Sequence, residues 1–433
     1  TDAVHGHNNV LGATLFPQNS GLAAAGDPEL IGRIGEATAR SVRSTGIGWV
    51  FAPPLAVAHD PRWGRTYESY SSDPAVIRSF AHAYVKGAQG AFKDDGNVIT
   101  TAKHYLGDGA TDSGRDQGEA LVDKATMINV HAQGYYGALA EGAQTVMASF
   151  NSWNDRAGGV DYGKMHGSKA LLTDALKDKM GFDGFVVSDW NGIAQVPGCR
   201  NDSCAQAINA GIDMVMVPDD WKAFIDNTTA QVQKGEIPMA RIDDAVTRIL
   251  RVKLRAGLFE HKPSDSRYAG DATAVQHREL ARRAVRESLV LLKNEGKVLP
   301  LRRDARVLVV GKGADNIGDQ SGGWSLTWQG TENRNADFPN ADSILAGLRE
   351  ALGADHVAYS EDGQGIADAA PDVGVAVIGA TPYAQTNGDI VAPDTLTPSR
   401  PHPPALPALA ARPAAAWDTR EHWARRPMRH GRS

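Results

Sequence analysis

The sequence predicts an α/β protein: a (β/α)8 barrel of the TIM type over residues 1–259, then a smaller layered α/β domain. Three observations carry that expectation. From residue 28 to about 258, short β-branched or apolar runs alternate with longer amphipathic segments, the pattern of strand and helix units around a parallel sheet. Polar residues of catalytic type follow these runs directly, at the strand ends where such a barrel carries its active site. Beyond a polar stretch, residues 261–272 with Pro263, the alternation resumes as a second unit.

In chain order, the predicted barrel strands are Gly48–Ala52, Val98–Ala102, Thr145–Ser149, Gly184–Ser188 and Asp213–Val217. Between them, Pro28–Val42 places Leu30, Ile31, Ile34 and Ala37 at helical spacing, and Ser168–Met180 does likewise, so both are expected as outer helices. The polar residues just past the strands are Asp60 to Arg65, Lys103, His104, Asn151 and Asp189. Residues 260–300 form a linker and a long helix, His277–Lys293. The second domain spans 301–390, with strands Arg306–Gly311 and Val373–Ile378 and a helix at Asp342–Leu352. Residues 391–433 hold eight Pro, seven Arg and no Lys without helix or strand periodicity. They read either as a disordered tail or as an aberrant, frame-shifted end.

At 433 residues, 42% hydrophobic and 22% charged, the chain has ample material for packed cores. A formal charge of −6 and a pI near 6.1 leave no basic footprint for nucleic acid or an anionic membrane surface. No apolar run approaches the roughly 20 residues of a membrane-spanning helix. Cys199 and Cys204 share a loop-like segment in which a small disulfide is feasible, with free thiols the alternative. The disulfide reading favours an oxidising compartment, so the expected location is periplasmic or secreted. No metal is expected, because no second ligand pair accompanies the cysteines at the usual spacing. Gly311-Lys312-Gly313 follows a strand but lacks the third glycine and the downstream acid of a dinucleotide site, so no cofactor is expected.

Four segments carry a more specific signal: Asp2-Ala3-Val4-His5-Gly6-His7-Asn8-Asn9, Asp60-Pro61-Arg62-Trp63-Gly64-Arg65-Thr66-Tyr67-Glu68-Ser69, Lys103-His104-Tyr105-Leu106-Gly107-Asp108-Gly109 and Val187-Ser188-Asp189-Trp190. Together and in this order they resemble the signatures of glycoside hydrolase family 3. The run Gly322-Gly323-Trp324-Ser325-Leu326-Thr327-Trp328-Gln329-Gly330 is similar to the β-glucosidase and exo-β-glucanase branch. The resemblance covers roughly residues 1 to 390 and implies release of glucose from non-reducing ends of β-glucans or β-glucosides, with retention. It makes Asp189 the nucleophile. Asp2, Arg65, Lys103 and His104 would grip the hydroxyls of the bound sugar through charge-assisted hydrogen bonds. Lys103 and Arg65 are expected to keep Asp189 ionised. Trp190, Trp324 and Trp328 would stack on sugar faces, the last two as a clamp, and Phe150 and Met214 would line the pocket. The implied partners are β-glucan or β-glucoside oligosaccharides; oligomeric state is left open.

Two departures stand out. Where the family pattern has its acid/base Glu, this chain reads Pro382-Tyr383-Ala384-Gln385-Thr386-Asn387-Gly388-Asp389, so the proton donor is replaced by the amide of Gln385. Glu332 is the alternative carboxyl on a nearby loop. In addition, Asp2 belongs to a motif that the family reaches after earlier strands, so the barrel is expected to be N-terminally incomplete and the sandwich domain partial. These departures support a second reading, a sugar-binding relative with impaired catalysis. A β-N-acetylhexosaminidase reading is disfavoured, because Asp112-Ser113 is followed by Gly114 rather than His.

Overall fold

The computed structural model describes residues 1–364 and 370–390; the expectations for 391–433 lie outside the described residues. The barrel part contains strands β1 (Thr101–Tyr105), β2 (Glu119–Ala120), β3 (Thr145–Ala148), β4 (Ser152–Asp155), β5 (Val160–Lys164) and β6 (Phe185–Val187). β1, β3 and β6 form a parallel sheet in that order. Parallel bridges Trp49↔Ile99 and Pro54↔Lys103 add the 49–54 segment on one side, and Val187↔Met214 adds the 213–217 segment on the other. The amino end continues the wall, since Phe51 donates its N–H to the Thr1 carbonyl at 2.8 Å.

Side chains in this wall alternate as a strand's pleat requires. Val50, Ala52, Val146, Ala148 and Val186 join the outer core with Leu30, Ile31 and Ile34 of helix Pro28–Ser44 and Ile77, Phe80 and Tyr84 of helix Pro74–Gln89. Their neighbours Trp49, Phe51, Met147, Phe185, Val187 and Met214 form a second, inner cluster together with Val252 of helix Met239–Arg255. The barrel interior is therefore filled with side chains, as in other barrels of this type. Asp27 and Asp73 start the two outer helices by accepting backbone N–H bonds, each with a proline at the first turn.

A second small sheet, β2-β4-β5, has β2 and β4 parallel and β4 and β5 antiparallel. The sequence pattern does not predict it. Its strands are short and polar, and burial is confined to Ala120 of β2 and the alternate β4 residues Trp153 and Asp155. The helix after the linker ends at Ser288 rather than Lys293. The run Leu289-Val290-Leu291-Leu292 is highly exposed, and an all-apolar segment needs burial on every side to persist as a helix. The linker itself is strapped down: Asp95 Oδ2 accepts from the Arg267 N–H at 2.6 Å, and the Ser44 carbonyl accepts from the Gly270 N–H.

The second domain holds β7 (Val307–Val310), β8 (Val357–Ser360) and β9 (Val373–Ala376) as a parallel sheet with β7 in the centre. Leu345 of helix Ile344–Leu352 covers one face, packing on Val307 and Val309. Two loops of this domain, 321–327 and 382–390, dock on the barrel's carboxyl end. Gln18 Nε2 donates to the carbonyls of Ser321 and Gly323, and Leu326 N–H donates to the Asn8 carbonyl. At Gly323 only glycine fits, because a Cβ would stand 1.9 Å from the Tyr383 carbonyl oxygen.

Candidate active site

The residues expected to act on a sugar come from loops after successive strand positions. Arg65 follows the 49–54 segment, Lys103 and His104 end β1, Phe150 and Asn151 follow β3, and Asp189 lies two residues beyond β6. The peptide bonds Lys103–His104 and Tyr105–Leu106 are cis. Asp189 is buried, with its Oδ1 accepting from the Trp190 N–H at 2.7 Å. Its Oδ2 has no hydrogen-bond partner among the described residues and lies 3.7 Å from His104 Nε2.

Arg65 is almost fully buried and makes a two-pronged bond to Glu68, 2.9 Å to each carboxylate oxygen. Burial disfavours its charge, but Glu68 outweighs that cost and raises the guanidinium pKa above its ordinary value. Arg65 Nη2 can only donate, so at 3.2 Å it fixes His104 Nε2 as an acceptor. The ring proton of His104 is then on Nδ1, donated to Asp108 Oδ2 at 2.9 Å. Burial first, then Arg65 and Lys103, holds His104 well below its ordinary pKa and hence neutral. Lys103 Nζ meets Asp2 Oδ1 at 2.6 Å. The result is a fixed ring of donors and acceptors suited to the vicinal hydroxyls of a sugar.

The expectation that Lys103 and Arg65 would keep Asp189 ionised meets a stronger opposing influence. Burial pushes its pKa up to about 6, and the opposing pull of Arg65, the Trp190 N–H and Lys103 does not offset that. The reason is geometric: Arg65 is committed to Glu68 and Lys103 to Asp2, and neither forms a hydrogen bond with Asp189.

The aromatic candidates divide by setting. Trp190 and Trp328 are about half exposed, at 58% and 50%, which leaves ring surface open to a ligand. Trp324 adopts φ 109° and donates its Nε1–H to Glu68 Oε1 at 3.2 Å. Glu68 thus joins Arg65 to a residue of the second domain. Phe150 is buried with its ring 5.9 Å from that of His166. Met214 packs in the inner barrel cluster with Val187.

Gln385 sits on a loop held over the barrel. Asp389 Oδ1 accepts from the Gly64 N–H at 2.9 Å, and Oδ2 accepts from the Asp116 N–H at 2.8 Å. The Tyr67 hydroxyl donates to the Tyr383 carbonyl at 2.8 Å. Gly64 passes so close that a Cβ would lie 2.2 Å from the Gln385 carbonyl oxygen. Glu332, the alternative carboxyl, is exposed and has φ 66°. Cys199 and Cys204 are joined in a disulfide in the loop after Asp189. No group of three or more His, Cys, Asp or Glu among the described residues is arranged to hold a metal ion.

Three residues escaped the sequence reading of the site. Glu68 and Asp108 lie inside quoted motifs, and an acid three or four residues from Arg65 or His104 was the available signal. His166, whose Nε2 accepts the Asp189 N–H at 3.0 Å, follows the unanticipated β5 and carried no local signal.

The model for the glycosyl hydrolase family 3 N-terminal domain matches residues 1–252, and that for the family 3 C-terminal domain matches residues 289–402. The chain is 35% identical over 423 residues to the lysosomal β-glucosidase of Dictyostelium discoideum, covering 90% of this chain and 50% of that protein. It is 30% identical over 368 residues to the periplasmic β-glucosidase of Salmonella typhimurium, covering 81% and 45%. It thus spans about half the length of these relatives. Among solved structures, the exo-1,3/1,4-β-glucanase of a Pseudoalteromonas species superposes with a TM-score of 0.87 at 50% identity, over 94% of this chain and 51% of that one. A β-glucosidase from Listeria innocua in complex with glucose gives 0.77 at 25% identity, over 90% and 53%.

Proposed function

The chain belongs to glycoside hydrolase family 3, and we propose that it carries the site of an exo-acting β-glucosidase or exo-β-glucanase with Asp189 as nucleophile. The observation that carries this reading is Asp189 Oδ2, a buried carboxylate oxygen without a partner among the described residues, beside Arg65, Lys103 and His104. Oδ1 is anchored by the Trp190 N–H, which leaves the lone pairs of Oδ2 for the anomeric carbon. Attack forms an ester to Asp189 as the glycosidic C–O bond breaks, and water then hydrolyses the ester with net retention. Asp2, Lys103 and Arg65 hold the glucosyl hydroxyls, His104, with both ring nitrogens engaged by Arg65 and Asp108, keeps Arg65 in place beside them, and Trp190, Trp324 and Trp328 cover the sugar faces and the next subsite. β-Glucosides and short β-glucans are the substrates. The disulfide in the loop after Asp189 fits a periplasmic or secreted protein, which cell fractionation would test.

Gln385 limits the reaction. An amide donates a hydrogen bond to a leaving oxygen but transfers no proton, and general acid catalysis contributes about 10² to 10⁴-fold. A natural alcohol leaving group therefore departs slowly, whereas an activated phenolate leaves unaided. The second reading, a sugar-binding chain with little turnover, rests on this residue. Incubation with an activated aryl β-glucoside plus azide, and separately with cellobiose, tests both. The expected result is aryl release abolished by Asp189→Asn, and cellobiose cleavage rising about 10² to 10⁴-fold in Gln385→Glu. Absence of both product and an adduct on Asp189 refutes the enzymatic reading and leaves the binding one.

A further inference from the structure

We propose that His166 is a positioning residue for the nucleophile: its neutral imidazole fixes the backbone of Asp189 by accepting that residue's N–H. The proposal rests on the reading of Asp189 as nucleophile. His166 is fully buried, two residues past the end of β5, and its Nε2 lies 3.0 Å from the Asp189 nitrogen. A backbone N–H can only donate, so Nε2 offers its lone pair and the ring proton sits on Nδ1. Nδ1 faces the Ser149 carbonyl without closing a hydrogen bond. Burial foremost, with Lys164 nearby, pushes the His166 pKa down to about 3, so the ring keeps its acceptor throughout the working range of pH.

The loop that carries Asp189 is shaped around this ring. A Cβ on Gly192 would stand 2.3 Å from Nε2 and 2.5 Å from Cε1 of His166, so the chain can fold over the imidazole only with glycine there. The other backbone contacts of Asp189 are local: its carbonyl accepts from the Gly192 N–H and from Ser188 Oγ, both at 3.0 Å. The flanking residues Ser188 and Asn191 bond to Met214 and Met216, whereas at Asp189 itself the long-range backbone contact is His166, 23 residues away in sequence. The ring's own place is set by its neighbours. Lys164 Nζ donates to the carbonyls of Gln117 and Phe150 and to Gln195 Oε1, which pins the hairpin to three separate loops. The Asp189 carboxylate hangs from an α-carbon whose N–H and C=O are thereby both committed, and only χ1 and χ2 remain to aim Oδ2.

The test uses 2,4-dinitrophenyl 2-deoxy-2-fluoro-β-glucoside, which labels a carboxylate nucleophile without needing an acid. His166→Phe keeps a ring and removes the acceptor; His166→Gln restores an acceptor oxygen. A displacement on the order of 1 Å at a reacting atom costs about 100-fold. The expected result is labelling of Asp189 slowed by about that factor in His166→Phe, partly recovered in His166→Gln, with the reagent's dissociation constant unchanged in both. In parallel, ¹⁵N NMR of histidine-labelled protein should find a neutral His166 ring with its proton on Nδ1. The proposal is overturned if His166→Phe labels at the parent rate, if affinity falls together with rate in both variants, or if the proton sits on Nε2. A parent chain that labels elsewhere, or not at all, instead refutes Asp189 as nucleophile and takes the proposal with it.

Discussion

Replacing Glu68 by Leu removes one carboxylate and exposes how the site is held. In the parent, Glu68 is 3% exposed, accepts two hydrogen bonds from Arg65 at 2.9 Å each, and accepts a third from Trp324 Nε1 at 3.2 Å. The substitution leaves a buried guanidinium with no carboxylate partner, a loss of about 3 to 5 kcal/mol when one half of a buried pair is removed. Glu68→Leu should therefore lower the free energy of urea unfolding by about that amount. The double variant Arg65→Met/Glu68→Leu has no stranded charge and should recover most of the loss. The two single changes then add to more than the double one, because each alone strands the charge of the partner that remains. Urea titrations followed by tryptophan fluorescence and by far-ultraviolet dichroism measure all four chains. A Glu68→Leu loss below about 1 kcal/mol, or strictly additive losses, would refute the account of Arg65 as a charge maintained by Glu68.

The pH dependence of labelling at Asp189 follows from its raised pKa of about 6. The reactive form is the carboxylate, so the rate constant with the fluoroglucoside should rise with pH through about 6 and level off above it; a profile flat from about pH 4.5 to 8 contradicts burial as the dominant influence. The same shift has a stability sign. The folded chain holds this proton more tightly than the unfolded one, so the contribution is fully present below the unfolded pKa near 3.8 and is lost as pH rises through about 6. Gly64→Ala drives a Cβ into the Gln385 carbonyl and should cost about 1 to 3 kcal/mol. It should also raise protease cleavage between residues 383 and 390, and unchanged cleavage would show that the loop yields without consequence.

Much of the barrel was legible because its wall is buried on both faces, so its strands stand out as short, continuous apolar runs. Trp49, Val50, Phe51 and Ala52 alternate between the inner and outer clusters, and so do Val146, Met147 and Ala148. Each such run reads as a strand before any tertiary contact is known. The hairpin of β4 and β5 was hidden because Ser152–Asp155 is polar and too short for a periodic signal, and its partner β5 is largely exposed. His166 was hidden with it, since a single histidine gains meaning only from what it faces. The motifs placed Arg65, Lys103, His104 and Asp189 at strand ends, and the structure brings Arg65, His104 and Asp189 within a few ångströms of one another. The upward shift of the Asp189 pKa was not legible. Counting nearby cations omits that Glu68 and Asp2 already occupy them, a fact that depends on side-chain geometry.

Asp389 has a consequence for how this architecture can vary. One carboxylate reaches the Gly64 and Asp116 amides, which belong to loops after two neighbouring strand positions. A residue inserted in either loop would carry its amide out of reach of an acceptor that the other loop still needs. The two loops and the 382–390 segment are therefore bound to change length together or not at all. Variation among relatives should accumulate outside this triangle, in stretches such as the β4–β5 turn at residues 156–159, which joins two strands of the barrel part alone.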